Sequence, residues 1–226
     1  VKLKEKDFFG NEEDILFCKG SGWDLATIEV AGFAPLRISA LLKLAELETL
    51  SDTDMVNQQR VAMLDPKAPN ASVEAILHAV IPHRFVDHTH ADSIIALTNT
   101  EDGEDKIKEV FGDRILIVPY IMPGFVLARK VYEMTRGIDW ADYDGMVLMN
   151  HGLFTFDDDA KTSYENTITL VSKAEAYLDS KGASKLGQPS GPVEADLLGL
   201  ADLRKSVSDA RGVPVLAKWD SSPSVV

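Results

Sequence analysis

A run of apolar residues broken once by a polar turn constrains the fold of this chain more than any other feature. Residues 145–156 read GMVLMNHGLFTF, so an apolar strand meets a turn at Asn150–Gly152 and then continues as a second apolar segment. RILIVPY, which ends at Tyr120, is a further run of the same type. Short apolar runs bounded by turn residues are typical of buried strands. The chain therefore needs a sheet whose faces are covered by helices.

Segments with helical periodicity lie between and beyond these strands. SVEAILHAV is followed by Pro82, GFVLARKVYEMTRG ends at Gly137, and a long amphipathic segment ends at Gly182. Proline and glycine at such positions are typical signals for the end of a helix. Because strands and helices are mixed without a strict βαβ rhythm, we predict an α/β protein in the broad sense, a sheet flanked by helices.

The composition changes near the end of the chain. Residues 181–192, KGASKLGQPSGP, are rich in Gly, Ser, Pro and Lys and are typical of a linker. We therefore predict one domain over residues 1–180, a linker over 181–192, and a partial subdomain or arm over 193–226. Within the last segment, residues 195–212 have a helical pattern, and VPVLAKWD at 213–220 is strand-like.

The charge of the chain and its single cysteine narrow the choice of partners and compartment. The 226 residues carry a formal net charge of −13, which on average repels phosphate backbones and anionic lipid surfaces. We therefore expect neither nucleic acid nor a membrane as a partner, and no apolar run approaches the length of a membrane span. Cys18 is the one cysteine, so no intrachain disulfide can form and a reducing, cytoplasmic location is expected.

Two histidines stand on either side of a threonine in DHTHAD, residues 87–92. In an extended strand, His88 and His90 project from the same face, which suits two imidazole ligands of one divalent metal. The alternative is a pair of partly buried histidines bonded to the backbone. Asp87 is either an acceptor for an outer ring N–H group or a solvated charge. His151, in the turn between two apolar segments, would complete a three-histidine site.

Two further features have both a chemical and a structural interpretation. Glu74, in the first turn of a predicted helix, is either a base beside a metal or a residue that favours the helix dipole. KGSG at 19–22 follows a predicted strand, and its glycines allow backbone N–H groups to converge on an anion. The same four residues are also typical of an ordinary tight turn.

Taken in order, four stretches resemble the class II aldolase and adducin family. They are ILFCKGSGWDLATIE, PNASVEAILHAVIPHRFVDHTHADSIIALTNT, VPYIMPGF and MVLMNHGLFTF, and the set covers roughly residues 1–180. KGSGWDLATIE, LSDTDMV and the residues from SVEAILHA to VDHTHAD are most similar to the aldolase part of bifunctional rhamnulose-1-phosphate aldolase/lactaldehyde dehydrogenase proteins. The resemblance implies a three-layer α/β sandwich with a central, mostly antiparallel sheet.

The resemblance also implies roles for eight residues. Three histidines would be the ligands of Zn²⁺: His88, His90 and His151. Glu74 would be the catalytic acid/base, and we expect burial to raise its pKa. Three residues match positions that hold the substrate phosphate: Gly20, Ser21 and Ser72. Tyr120 resembles a tyrosine near the active site of sugar-phosphate aldolases.

The implied activity is that of a zinc-dependent carbon–carbon lyase in carbohydrate metabolism, specifically rhamnose catabolism. It would cleave a ketose 1-phosphate similar to rhamnulose 1-phosphate into dihydroxyacetone phosphate and an aldehyde. The same scaffold serves a sugar-phosphate 4-epimerase, a dehydratase and adducin-like binding modules, and these modules lose the metal histidines. Because the epimerases tend to carry Asp where this chain has Glu74, aldolase or dehydratase chemistry is favoured. Family members assemble active sites between subunits, commonly in tetramers, which implies a homo-oligomer.

The sequence departs from the family pattern at two places. A Gly-rich stretch that supplies part of the phosphate site normally precedes the segment resembling VKLKEKDF, and this chain begins after it. The patterns that open the nucleotide fold of the dehydrogenase half do not occur either. We therefore expect a longer protein, with a fused dehydrogenase domain as one possibility, or a shortened domain.

Overall fold

The computed structural model describes residues 1–7, 9–183 and 195–219, and the chain divides into two compact units. The first unit is Val1–Lys181 and the second is Gly182–Val226. Most of the predicted linker, residues 184–192, lies outside the described residues. Within the ranges described, no helix combines the length and the apolar character that crossing a bilayer requires.

The second unit contains one described helix, Leu197–Arg211 (α8), which ends at Gly212 in the left-handed conformation. This helix was predicted, but the strand predicted over 213–220 is wrong. Residues 214–219 have no regular secondary structure, and Asp220 lies outside the described part. An extended segment forms a strand only when another strand pairs with its backbone, and none of the described residues pairs with this one.

A three-stranded antiparallel sheet opens the first unit, with its strands in chain order. Its strands are Lys2–Lys6 (β1), Glu12–Lys19 (β2) and Phe33–Arg37 (β3). Leu16 of β2 pairs with Leu36 of β3, and both side chains are buried. They pack with two helices that follow β3: Ile38–Ala45 (α1) and Asp52–Ala62 (α2).

A second sheet contains the two apolar segments on either side of the 150–152 turn. Its strands are Phe85–Thr89 (β4), Ile115–Val118 (β5), Gly145–Leu148 (β6) and Gly152–Asp157 (β7). Their order across the sheet is β4, β7, β6, β5, and only the β5–β6 pairing is parallel. The prediction of mostly antiparallel strands flanked by helices is thus confirmed, although the strands form two sheets.

The second sheet is the middle layer of three. Side chains alternate between its faces, so Met146, Leu148 and Phe154 lie in one apolar cluster and Val147 and Leu153 in another. The first cluster includes residues of two helices: Ala75–Val80 (α3) and Phe125–Met134 (α6). The second includes residues of three: Asp92–Thr98 (α4), Gly103–Phe111 (α5) and Ala160–Ser180 (α7).

A carboxylate from α2 holds the start of α6. Oδ1 of Asp52 accepts the N–H of Phe125, the first residue of α6, at 3.1 Å. The preceding Gly124 has φ +138°, and a Cβ there would lie 2.5 Å from the same oxygen. Asp52 thereby satisfies an N–H group that the helix leaves without an internal partner, and its charge favours the positive end of the helix dipole.

Candidate metal centre

His88 lies near the end of β4, where its ring is held in one orientation. Its Nδ1 lies 3.0 Å from the carbonyl oxygen of Leu153 in β7. Because a carbonyl oxygen only accepts hydrogen bonds, Nδ1 carries the ring proton. Burial lowers the pKa of His88 to about 4, so the ring is neutral at pH 7 and Nε2 presents a lone pair. The ring also stacks on Phe154, with the centroids 4.0 Å apart.

The other two predicted ligands come from segments next to the ends of the same strand pair. His90 follows the last residue of β4, and His151 lies in the turn just before β7. Because β4 and β7 are antiparallel, the end of one strand and the start of the other meet at one edge of the sheet. The ring centroid of His90 is 4.7 Å from that of His88 and 4.7 Å from that of His151.

Glu74 brings a carboxylate to the three rings. It is the residue immediately before α3, with φ −85° and ψ 6°, so the helix begins later than predicted. Its Oε1 lies 3.0 Å from Nε2 of His151, and its Oε2 lies 3.3 Å from Nε2 of His88. One donor atom from each of the four residues lies within 4.8 Å of the others.

The charge state of Glu74 differs from the expectation. Burial does act to raise the pKa of Glu74, but the contacts with His151 and His88 outweigh it, and the pKa is lowered from its ordinary value. The prediction of a raised pKa is therefore wrong. The carboxylate is ionised at neutral pH, which is the form that accepts a proton or binds a cation.

Among the described residues, three buried atoms of this cluster have no hydrogen-bond partner: Oε1 of Glu74, Nε2 of His88 and Nδ1 of His151. At neutral pH Nε2 of His88 and the carboxylate oxygens of Glu74 are all acceptors, so no proton joins them across 3.3 Å. A cation satisfies both groups at once. In a tetrahedral zinc site with ligands at about 2.0–2.1 Å, neighbouring ligand atoms are about 3.4 Å apart, close to the 3.0 and 3.3 Å between Glu74 and the Nε2 atoms of His151 and His88. The residues present therefore fit a divalent metal.

The surroundings of the cluster include contacts that the sequence did not indicate. The carbonyl of Leu153 that orients His88 is a backbone group, and no residue type signals it. Asp87 accepts the hydroxyl of the buried Ser163 at 2.6 Å, so its described contact is with α7 and not with a histidine ring. His78 packs edge-on near His88, with 6.5 Å between ring centroids, and burial lowers its pKa to about 3.

The three predicted phosphate-binding residues lie in two short segments that bond to each other, and Ser72 of the second segment contacts Glu74. The N–H of Ser21 donates to the carbonyl of Asn70 at 2.8 Å, and the N–H of Ser72 donates to that of Lys19 at 3.0 Å. The hydroxyl of Ser72 also accepts the N–H of Glu74 at 3.3 Å. The two short segments around residues 20 and 72 are thereby joined directly beside the metal cluster.

Close packing, and not an anion site, explains why residue 20 is a glycine. Its N–H donates to the carbonyl of Gly32 at 2.7 Å, so this N–H and that of Ser21 do not converge on an anion. A Cβ at Gly20 would lie 2.6 Å from Cγ of Pro69 and 2.9 Å from the carbonyl oxygen of Gly32. Close backbone packing therefore accounts for the glycine.

Tyr120 lies two residues beyond β5, at the edge of the sheet that also carries His151. This follows from the parallel pairing of β5 with β6, whose carboxyl end leads into the 150–152 turn. The side chain is 53% exposed, and its hydroxyl lies 4.0 Å from Sδ of Met122. The structure thus brings Tyr120 to the same edge of the sheet but outside the cluster of Glu74 and the histidines.

Comparison with known proteins gives a match over most of the first unit. Residues 6–178 match the family model of the class II aldolase and adducin N-terminal domain. Over 182 residues the chain is 36% identical to a Bacillus subtilis (strain 168) protein called uncharacterized oxidoreductase YuxG. The aligned region is 80% of this chain and 26% of that protein, so the chain spans about a quarter of the relative's length.

Two solved structures are similar to the chain. The N-terminal class II aldolase domain of a conserved protein from Thermoplasma acidophilum is 40% identical, with a TM-score of 0.71 over 79% of this chain and 81% of that one. A sugar-phosphate aldolase from Thermotoga maritima has a TM-score of 0.52 over 84% of this chain and 87% of that one. At 17% identity, the second similarity concerns the fold alone.

Proposed function

The chain belongs to the class II aldolase and adducin family, and we propose that it is a zinc-dependent carbon–carbon lyase. The observation that supports this proposal is the convergence of Glu74 with three histidines, whose donor atoms lie within 4.8 Å of one another. Imidazole nitrogens with a carboxylate are a donor set that suits zinc. In the proposal the metal is held by His88, His90 and His151.

The proposed reaction is the reversible cleavage of a ketose 1-phosphate into dihydroxyacetone phosphate and an aldehyde. Zinc, when bound, supplies Lewis-acid polarisation of a carbonyl oxygen. In the condensation direction, the ionised Glu74 takes the proton from the carbon of dihydroxyacetone phosphate that becomes the nucleophile. In the cleavage direction, it returns that proton to the same carbon. The lowered pKa of Glu74 supports the first role, because the carboxylate is ionised at neutral pH and so is in the form that accepts a proton.

The remaining proposed roles concern the phosphate and the aldehyde oxygen. Ser21 and Ser72 are proposed to bind the phosphate through their hydroxyl groups, since the N–H groups of Gly20 and Ser21 already donate to carbonyl oxygens. Tyr120 is proposed as the acid that donates a proton to the aldehyde oxygen during condensation. Its place at the same sheet edge as His151 supports this role.

We also propose a substrate similar to rhamnulose 1-phosphate, used in rhamnose catabolism by a homo-oligomer. The sequence stretches that resemble the bifunctional rhamnulose-1-phosphate aldolases support the choice of substrate. A fused dehydrogenase part is supported by the Bacillus subtilis relative, which is called an oxidoreductase and of which this chain covers 26%.

The proposal is tested by metal analysis together with a cleavage assay. The purified chain is incubated with a panel of ketose 1-phosphates, and dihydroxyacetone phosphate is measured by a coupled reduction. We expect about one zinc ion per chain and release of dihydroxyacetone phosphate, with both strongly reduced in His90→Ala. His83→Ala is the matched control, because His83 lies at the opposite end of β4, outside the cluster.

Each alternative has its own outcome in the same experiment. A chain that binds zinc but only dehydrates or epimerises sugar phosphates would show another reaction of the same scaffold. A chain that contains no metal and has the same stability after His90→Ala would be an adducin-like binding module. Either result would contradict the proposed aldolase.

A further inference from the structure

The turn that carries His151 has an unusual backbone. Asn150 has φ +58° and is the only residue other than glycine with a positive φ among the residues that the structure describes. Asparagine tolerates this left-handed conformation better than most residues with a side chain. The N–H of His151 closes the turn by donating to the carbonyl of Leu148 at 3.1 Å. The direction of the His151 side chain thus depends on the conformation of Asn150.

The side chain of Asn150 makes one long-range hydrogen bond. Its Nδ2 donates to Oδ1 of Asn99 at 2.8 Å. Asn99 is the residue that follows the last turn of α4, and α4 begins at Asp92, two residues after His90. The bond therefore joins the turn that carries His151 to the C-terminal end of α4, the helix that begins two residues after His90.

The three histidines are not held equally by the rest of the fold. His88 is part of the β4–β7 pairing and bonds the Leu153 carbonyl, so its position relative to β7 is set by the sheet. His90 is exposed and lies just beyond the strand, where the ladder of backbone hydrogen bonds has ended. The position of His90 relative to His151 therefore depends on α4 and on the turn.

We propose that Asn99 and Asn150 are positioning residues that fix the separation of His90 and His151. This inference rests on the proposed function, since it concerns how well the cluster binds a metal. A metal ion tolerates only a narrow range of ligand separations, so a looser turn lowers the affinity even when every ligand is present. Neither asparagine touches the metal or the substrate in this proposal.

The test is a double-mutant cycle on zinc affinity in the whole chain. Asn99→Ala removes the acceptor, and Asn150→Gly removes the donor but keeps a residue that adopts positive φ. We expect each variant to bind zinc about three- to tenfold more weakly in competition with a chromogenic chelator, as loss of one such bond allows. Because both variants remove the same hydrogen bond, the double variant should lose no more zinc affinity than either single variant loses.

Controls separate positioning from general destabilisation. Asn11→Ala removes another exposed hydrogen bond of a side-chain amide, which Nδ2 of Asn11 donates to Asp7 at 2.9 Å. This variant should leave zinc affinity unchanged. The visible spectrum of bound Co²⁺ should change in Asn99→Ala and return in Asn99→Asp, which keeps an acceptor oxygen. The melting temperature of each metal-free variant shows whether it is folded.

Two results would overturn the inference, and they are distinguishable. If the wild-type chain binds zinc and both single variants bind it equally well, or if their losses add in full, the asparagine pair does not position the ligands. If the wild-type chain binds no zinc, the proposed function fails together with this inference.

Discussion

Gly152 lies so close to the ring of His90 that a Cβ at this position would be 3.0 Å from its Cδ2 atom. The same Cβ would be 3.2 Å from Cε1 of His88 and would also contact the carbonyl oxygen of Thr89. Because Gly152 has no side chain, it leaves the space in which the rings of His88 and His90 lie. Any side chain here would displace the rings or separate β7 from β4.

The first prediction follows from this contact. Gly152→Ala should lower the free energy of unfolding by about 1–3 kcal/mol through overpacking, and it should lower zinc affinity at least about tenfold. Gly145→Ala is the control, because a Cβ there would also be crowded, 2.9 Å from the carbonyl oxygen of Phe154, but Gly145 is the first residue of β6 and lies away from the 150–152 turn. Urea unfolding and zinc titration of both variants check this, and equal zinc affinity in the two would contradict it.

A second prediction separates metal binding from proton transfer at Glu74. Glu74→Gln keeps the three histidines but cannot accept a proton, so kcat should fall by about 10²–10⁴. Zinc content should fall much less than in His90→Ala. Elemental analysis and the cleavage assay measure the two effects, with the exposed Glu175→Gln as the control. Full activity in Glu74→Gln would exclude the carboxylate as the acid/base.

The third prediction concerns the pH dependence of stability. His78 is buried and its pKa is lowered to about 3, so the unfolded chain binds a proton near pH 6.5 that the folded chain does not. The free energy of unfolding of the metal-free protein should therefore be fully retained above about pH 6.5 and should decrease as the pH falls from there toward 3.

His78→Gln tests the assignment, since it removes the titrating group. The slope of unfolding free energy against pH reports the number of protons taken up on unfolding, and it is measured by urea titration between pH 7 and 4.5. In this variant the proton uptake should be smaller by about one. His83→Gln, at a position that retains 24% side-chain exposure, keeps His78 and serves as the comparison. An unchanged slope in His78→Gln would show that other groups determine the acid sensitivity.

A fourth prediction tests the link between α2 and α6. Asp52→Ala removes the acceptor for the N–H of Phe125 and should lower the free energy of unfolding by about 1–2 kcal/mol. Asp54→Ala, in the same helical turn, loses an exposed contact with Ser51 and should have a smaller effect. Urea unfolding measures both, and a larger loss for Asp54→Ala would show that the Asp52–Phe125 bond is not important.

The fifth prediction concerns the proposed phosphate site. Ser21→Ala should raise KM for a ketose 1-phosphate about tenfold and leave kcat within about twofold, because a hydrogen bond to a charged phosphate is lost without any change at Glu74. Inorganic phosphate should inhibit this variant correspondingly less. Ser180→Ala, at the end of α7, is the control. A change in kcat with constant KM would place Ser21 outside the phosphate site.

Local patterns in the sequence are enough to predict the elements that carry the candidate site. The apolar runs on either side of Asn150–Gly152 became β6 and β7, and the extended segment considered for His88 became β4, which ends one residue before His90. Ser51 and Asp159 begin α2 and α7 by accepting backbone N–H groups, as helix-start residues do. These features depend on residues within a few positions of each other, so a single sequence contains them.

Features that depend on distant contacts could not be predicted in the same way. The strand Phe33–Arg37 and the division into two sheets depend on pairings that no local period specifies. The direction of the Glu74 pKa depends on His88 and His151, which come from elsewhere in the chain. For the KGSG segment the sequence left an anion site and an ordinary tight turn as alternatives, and the N–H of Gly20 donates to the carbonyl oxygen of Gly32, which no local pattern places beside it.

The pairing of β4 with β7 has a consequence for the order in which the protein matures. Residue 88 leaves the ribosome well before residue 151, so a nascent chain displays His88 and His90 without their third partner. If the cluster binds a metal as proposed, the complete three-histidine site forms only once β4 has paired with β7. A chain whose β4 slips by one residue turns His88 toward the opposite face of the sheet. Under the proposed function, zinc content would therefore distinguish molecules with the correct β4–β7 pairing from compact misfolded ones.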